Sequence, residues 1–339
     1  MTTWKELLNG DPLPWLLEED KEQPGVRYFA LREILGLPPE DAAVKKARVA
    51  LMKSDPVAAI MANQSPEGYW VKPGAGYGPK YQGTVWSIIF LAQLGADGSD
   101  PRVHLGGEYL LAHSIASRGG FSPSGFGHCL AGNLGTALID LGWLGDKRLQ
   151  KALELMARMV TGDGIADSDD RENPVRFYKS GTCAPLFACA ANNKQPCAWG
   201  AVKVMLALGK VPPARRTPPM KAAIEQGTGF LLGRDPVVAD YPAGWAEKPS
   251  SSWFKFGFPL GYVTDVLQNL EALVSLGLAG DERLANALEM VSGKQDGQGR
   301  WKMEYSYDGK MWVDIEQKGK PSKWVTLRAL RVLKAAYPD

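Results

Sequence analysis

The seven-residue frame Gln64-Ser-Pro-Glu-Gly68-Tyr-Trp70 recurs as Gln295-Asp-Gly-Gln-Gly299-Arg-Trp301, with Gln, Gly and Trp at identical spacing. Each copy follows a helix-like stretch, carries a Gly that permits a sharp reversal, and sets a Trp where the chain can pack on its neighbour. A frame kept this way marks a repeat protein, whose units bury a continuous core only by stacking on one another.

A second marker turns the two copies into a series. Leu35-Gly36, Leu94-Gly95, Leu141-Gly142, Leu208-Gly209 and Leu276-Gly277 each close an apolar helical stretch, and Gly after the last periodic residue is a C-cap signal. Asp146 and Asp281 follow two of these turns at the same distance and fit the N-cap of the next helix. The unit is therefore helix, Leu-Gly turn, helix, then a Gly-rich loop. The first helix of a unit, as in Thr84 to Leu94, is apolar nearly all round, which predicts burial on several faces. The second, as in Arg148 to Met159, repeats apolar residues at three and four with charges between, which predicts one solvent face.

Six inner helices are expected, at 26–35, 82–94, 129–141, 197–208, 261–276 and 322–336, so that the first and last meet. Five outer helices are expected at 41–63, 101–116, 147–160, 217–233 and 281–295, with the stretch from Trp4 to Leu17 as the sixth. The fold class is all-α, an (α/α)6 toroid or barrel in a single domain over 1–339; an open helical solenoid is the alternative. Met311 to Glu316, after Lys302 to Tyr305, is at most a small hairpin.

Composition sets the outer limits. The 339 residues are 45% hydrophobic and 22% charged with a formal net charge of +2, which gives no footprint for nucleic acid. No apolar run reaches the roughly 18 residues of a spanning helix. Met1-Thr-Thr-Trp-Lys lacks the regions of a signal peptide, so a cytoplasmic protein is expected. Nothing speaks to oligomeric state. Four cysteines are too sparse for a disulfide scaffold of this length and read as reduced thiols.

The helix pairs and the two Gln-x3-Gly-x-Trp frames resemble the superfamily of terpenoid cyclases and protein prenyltransferase β subunits, in which the frame is the "QW" repeat of squalene-hopene cyclases. Gly119-Gly-Phe121 and Gly162-Asp-Gly164-Ile165 are degenerate frames at best. The resemblance implies an α/α toroid in which Gln64, Trp70, Gln295 and Trp301 are structural: the Gln bonds to the start of an adjacent helix and the Trp stacks on it. It also implies an apolar, isoprenoid substrate. Asp167-Ser168-Asp169-Asp170 fits the Asp-x-Asp-Asp pattern of class II cyclases, which makes Asp169 the proton donor for cyclisation or isomerisation and Asp167 and Asp170 its supports. Clustered carboxylates suit that task because repulsion and desolvation keep one of them protonated. The same stretch, ending in Arg171-Glu172-Asn173-Pro174, reads equally as a solvated loop.

Three other constellations carry chemistry. Cys183, Cys189 and Cys197 precede one inner helix, while His128 and Cys129 open the previous one. Brought together they offer zinc ligands at Cys129, Cys183, Cys189 and Cys197 with His128, or a metal-free thiol site in which a helix N-terminus depresses the pKa of Cys129 or Cys197; small buried hydrophobes are the plain alternative. Such a site would serve transferase or lyase chemistry, and a toroid without chemistry would be a lipid binder or scaffold. Tyr81, Trp86, Trp199, Tyr262 and Trp324 fall near inner-helix starts, and Trp245, Trp253, Phe254, Phe256 and Phe258 crowd one segment. They are expected either to line an apolar cavity, with Trp253 among the wall residues, or to fill the core. The segment 245–260 reads as a lid or as a patch that touches a membrane surface. Asp265, on an otherwise apolar helix, must face the cavity as a functional acid or pair with a cation, for which Arg328 is the first candidate. Arg328, Arg331 and Lys334 form a basic stripe suited to a diphosphate or to plain exposure.

Overall fold

The computed structural model of the chain describes residues 2–116, 118–121, 127–173, 175–177 and 183–339. Pro174, at the end of the acidic stretch, lies outside the described residues. Among those described, the regular structure is helical, and extended pairing is confined to isolated bridges.

Among the described residues, six inner helices form a closed ring. The first is Pro24–Phe29 continued by a π turn, Ala30–Ile34; the others are Thr84–Leu94, His128–Asp140, Ala198–Gly209, Val266–Ser275 and Lys323–Ala336. The second packs on the third, and so in order to the sixth, which packs on the first. Closure between first and second is tight: a Cβ at Gly25 would stand 2.6 Å from the Leu94 carbonyl oxygen, so only glycine fits. The second helix is buried on every face, as its apolar sequence requires.

Outer helices cover the ring. Ala42–Met52, Pro101–His113, Lys147–Thr161, Pro218–Leu232 and Ala285–Gly293 lie against the first five inner helices in turn, and the short turns Trp4–Leu7 and Leu13–Leu16 lie against the sixth. Lys147–Thr161 buries Leu149, Ala152, Leu153, Met156, Ala157 and Val160, the stripe expected of an amphipathic helix. Asp146 caps it by accepting the Arg148 N–H, and Asp281 accepts that of Arg283. The toroid is the all-α architecture that the helix-pair series predicts.

Several boundaries differ. The first outer helix breaks into Ala42–Met52 and Asp55–Ala62, because Pro56 has no amide hydrogen to continue the ladder. The fifth inner helix starts at Val266 rather than 261, where the Asp265 carboxylate takes the Gln268 N–H at 2.6 Å. Gly36, Gly95, Gly142 and Gly277 adopt positive φ, whereas Gly209 stays inside its helix. The small hairpin does not form: Lys302 bridges to Pro321 and Tyr305 to Gly257.

The two frames are built alike. Gln64 Nε2 donates to the Arg102 carbonyl in the first turn of the next outer helix, and Gln295 Nε2 donates to Leu7 O in the N-terminal turn. Trp70 Nε1 bonds Ile60 O at 2.8 Å and its amide bonds Thr84 Oγ1; Trp301 Nε1 bonds Val291 O at 2.6 Å and its amide bonds Thr326 Oγ1. Both indoles are fully buried, and Gly68 and Gly299 take φ of 99° and 72° to make the reversal. The second frame thus staples the end of the chain to its beginning and completes the ring.

Candidate functional site

A cavity of about 700 Å³ opens at the N-terminal ends of the third and fourth inner helices. Those ends contribute Gly127 and Cys129 from one helix and Cys197, Ala198 and Trp199 from the other. Tyr77 and Lys80 come from the loop before the second helix, Cys189, Ala191 and Asn192 from a tight turn, and Tyr241, Trp253 and Tyr262 from the long connection into the fifth helix. The turn and the connection are pinned together: Asn192 Oδ1 accepts the Gly244 N–H at 3.0 Å, and Trp245 Nε1 donates to Ala191 O at 2.9 Å. An aromatic wall with a few convergent polar groups is the usual build of a small-molecule site.

Sulfur is the chemically distinctive part of that wall. Cys189, Cys197 and Cys129 line the cavity, and Cys183 lies directly behind Cys189. Hydrogen bonds from the Cys183 and Cys197 thiols converge on the Cys189 sulfur, assisted by the Ala191 and Asn192 amides, and together they hold Cys189 well below the ordinary thiol range. The same bonds push Cys183 and Cys197 well above it. Burial raises Cys129 to about 11. Of the sulfurs in this cluster, Cys189 is the one whose surroundings favour the charged form, and it faces an apolar cavity.

His128 is the first residue of the third inner helix, and its backbone N–H donates to Cys183 Sγ at 3.0 Å. Its ring is buried, stands edge-on to Phe187 at 5.6 Å, and among the described residues has no hydrogen-bond partner for either nitrogen. Burial lowers its pKa to about 4, so the imidazole is neutral.

The zinc expectation does not fit this arrangement. Among the described residues, no group of three or more His, Cys, Asp or Glu side chains is placed to hold a metal ion.

The remaining expected residues divide. Trp199, Trp253 and Tyr262 line the cavity. Tyr81 and Trp86 stand outside the wall and support it: Trp86 packs on Tyr81 at 4.9 Å and on Tyr262 at 5.1 Å. Trp324 is core, stacked on Phe258 at 4.2 Å, with its Nε1 bonded to Gln23. Asp265 and Arg328 are each 2% exposed and pair through two contacts of 3.1 Å; Arg328 also holds Glu271 at 2.8 Å. Neither residue lines the cavity, so Arg328 ties the fifth helix to the sixth. Arg331 bonds Glu33, and Lys334 bonds the Ile34 carbonyl, so the basic stripe closes the ring against the first helix.

The acidic motif lies elsewhere. Asp167, Asp169 and Asp170 are exposed on a loop outside the cavity, and Asp170 accepts the amides of Glu172 and Asn173 as a turn residue. The desolvation that a carboxylic proton donor requires is missing there. The aromatic segment is also largely inward: Trp253, Phe256 and Phe258 are buried, while Trp245 is 74% exposed. Among the described residues no helix is long and apolar enough to cross a membrane.

Sequence reasoning missed Tyr77, Lys80 and Tyr241. Lys80 is the cationic side chain of the described wall, set 4.6 Å over the Tyr262 ring and 5.1 Å over Tyr81. All three sit in loops whose period carries no signal; the Gly-rich stretch Gly74-Ala-Gly76-Tyr77-Gly78 was the one hint of a functional loop.

No family model matches the chain, and no curated protein matches it. Among solved structures, a protein from Actinoplanes is similar at 14% identity and a TM-score of 0.42, over 92% of this chain and 90% of that one. A variant of the type II terpene cyclase MstE from Scytonema, in complex with geranylgeranyl dihydroxybenzoate, is similar at 12% identity and a TM-score of 0.29, over 85% of this chain and 97% of that one. At these scores the likenesses carry no argument about activity.

Proposed function

We propose that the chain is one toroid domain over 1–339 that takes an apolar, isoprenoid-sized molecule into the cavity and acts on it through Cys189 as a thiolate. The convergence of the Cys183 and Cys197 thiols on Cys189, at the wall of an aromatic cavity, is the observation that carries this reading. The chemistry is group transfer at an activated carbon. The Cys189 sulfur lone pair forms a C–S bond, the leaving group departs with its electron pair, and the Cys197 thiol supplies the proton that group takes up; an acceptor hydroxyl or water then displaces the sulfur from that carbon and returns its proton to Cys197. Trp199, Trp253 and Tyr262 hold the apolar body and exclude water. Acid-initiated cyclisation by Asp169 is disfavoured by the exposure of that loop.

A panel of isoprenoid thioesters, allylic esters and epoxides tests the reading, with turnover and covalent adducts followed by mass spectrometry. Cys189→Ser should retain ligand binding and lose both product and adduct, while Asp169→Ala should behave as the parent. Unchanged turnover in Cys189→Ser would remove the thiolate from the mechanism.

A further inference from the structure

The two cysteines behind the cavity wall are placed for a second use. Cys183 and Cys189 face each other across an antiparallel bridge, and the turn between them is closed by the Ala184 N–H on the Ala188 carbonyl at 2.8 Å. That bond flanks the pair, which puts the two cysteines in the non-hydrogen-bonded register, where opposed Cα atoms stand about 4.5 Å apart. A disulfide accepts Cα separations of roughly 4.4–6.8 Å, so this register is compatible with one. The turn itself holds the register: Leu186 and Phe187 both take positive φ, at 53° and 62°, and Phe187 is fully buried.

Access and polarity differ between the two sulfurs. Cys189 lines the cavity, whereas Cys183 is 2% exposed and is absent from the wall. Cys183 Sγ already accepts the His128 N–H at 3.0 Å, which fixes that sulfur in place behind the wall. Cys197 touches Cys189 from the other side but is the N-cap of the fourth inner helix, and its amide is tied to Phe187 O. Of the bridged pair, Cys189 is thus the sulfur on the cavity wall and Cys183 the one preset opposite it.

We propose that Cys183 and Cys189 form a reversible disulfide, written by a hydroperoxide that enters the cavity, and that this couple switches the cavity nucleophile off. The Cys189 thiolate attacks the O–O bond, giving Cys189 sulfenic acid and an alkoxide or hydroxide that takes up a proton. The Cys183 thiol then attacks the Cys189 sulfur, the S–S bond forms, and the hydroxyl leaves as water with the thiol's proton. The peroxide is reduced by two electrons and the two thiols are oxidised by two. Any dithiol reductant returns the pair. The disulfide rests on the pairing of the sulfurs alone; its effect as a switch rests on the proposed reading of Cys189 as the cavity nucleophile.

The test treats the reduced, full-length protein with equimolar hydrogen peroxide and, separately, with an alkyl hydroperoxide. Peptides are then mapped without reduction. The expected product is a Cys183–Cys189 cross-link, removed by dithiothreitol, with Cys129 and Cys197 still free to alkylate. Cys183→Ala should trap Cys189 as a sulfenic acid that dimedone labels, and Cys197→Ser should still give the cross-link. A dominant Cys189–Cys197 cross-link would overturn the pairing. So would a Cys189 that stays reduced, or that passes straight to sulfinic acid in the parent. Ligand binding by the reduced protein is measured alongside: failure there counts against the proposed activity and leaves the disulfide result standing.

Discussion

The fifth and sixth inner helices and the third and fourth are products of the same repeat, yet their N-terminal ends are finished in opposite ways. On the fifth and sixth, side chains close the end. Asp265 caps one helix and holds Arg328, while Ser322 caps the other by accepting the Val325 amide at 2.9 Å. On the third and fourth, Gly127 and Cys197 stand at the cap positions without an oxygen to offer, and the cavity opens above them. A capped end gains about 1 kcal/mol and is chemically spent; an uncapped one leaves amides and dipole for a sulfur anion. Among these four helix ends, the side-chain caps go with the closed side and their absence with the cavity.

Removing the buried cation should break the closed side first and hardest. Arg328→Met strands Asp265 and Glu271 without their partner, and a loss of about 3–5 kcal/mol is expected in urea unfolding. A loss under about 1 kcal/mol would mean that the closed side is not held by this pair.

Lys203 sits at the border between the two sides, fully buried, with its ammonium on Gln268 Oε1 at 2.8 Å. Burial lowers its pKa to about 8, against an ordinary value of 10.5. Between those two values the unfolded chain binds the proton that the folded chain has shed, so this residue makes stability rise with pH from about 8 to 10.5. Below about 8 the cost is constant and on the order of 3 kcal/mol. Lys203→Met removes that term, so the stability difference between variant and parent should shrink as pH rises from about 8 to 10.5 and be constant below about 8. A difference curve with no pH dependence would contradict the buried charge.

The frame tryptophans test whether the ring is closed by equivalent parts. Trp70→Phe and Trp301→Phe each lose one indole bond to a buried carbonyl, and each should cost about 1–3 kcal/mol by equilibrium unfolding. Near-equal losses sharpen the equivalence; a negligible loss at Trp301 would show that the terminal staple is dispensable. The smallest effect is expected at the acidic loop, where Asp169→Ala should change the unfolding midpoint by no more than about 0.5 kcal/mol and leave cysteine reactivity as it was.

The fold was legible because it is written in periodic, short-range signals. Leu-Gly turns, Asp caps and the contrast between Thr84–Leu94 and Lys147–Thr161 each act within a few residues, and they place all six inner helices. The Asp265–Arg328 pair was legible for the same kind of reason, since a lone carboxylate on an apolar helix demands a cation. The site was half legible. Composition puts Cys189 and Cys197 near a helix start, but that Cys189 is the shared acceptor depends on the bridge to Cys183 and on the turn 189–195, and neither has a period. The exposure of Asp169 was not legible, because the Asp-x-Asp-Asp spacing is also that of an ordinary acidic turn and only burial tells the two apart. Tyr77, Lys80 and Tyr241 reach the cavity from loops distant in sequence, where the alignment of one chain with itself gives nothing.

The central claim is that the open side holds a preformed thiolate at Cys189. Iodoacetamide alkylation, resolved cysteine by cysteine by mass spectrometry across pH, tests it directly. The account predicts that Cys189 reacts first, at a rate already near its plateau at pH 6, with Cys129, Cys183 and Cys197 following only at much higher pH. A Cys189 rate that climbs through the ordinary thiol range near 8.5, in step with the others, would contradict it.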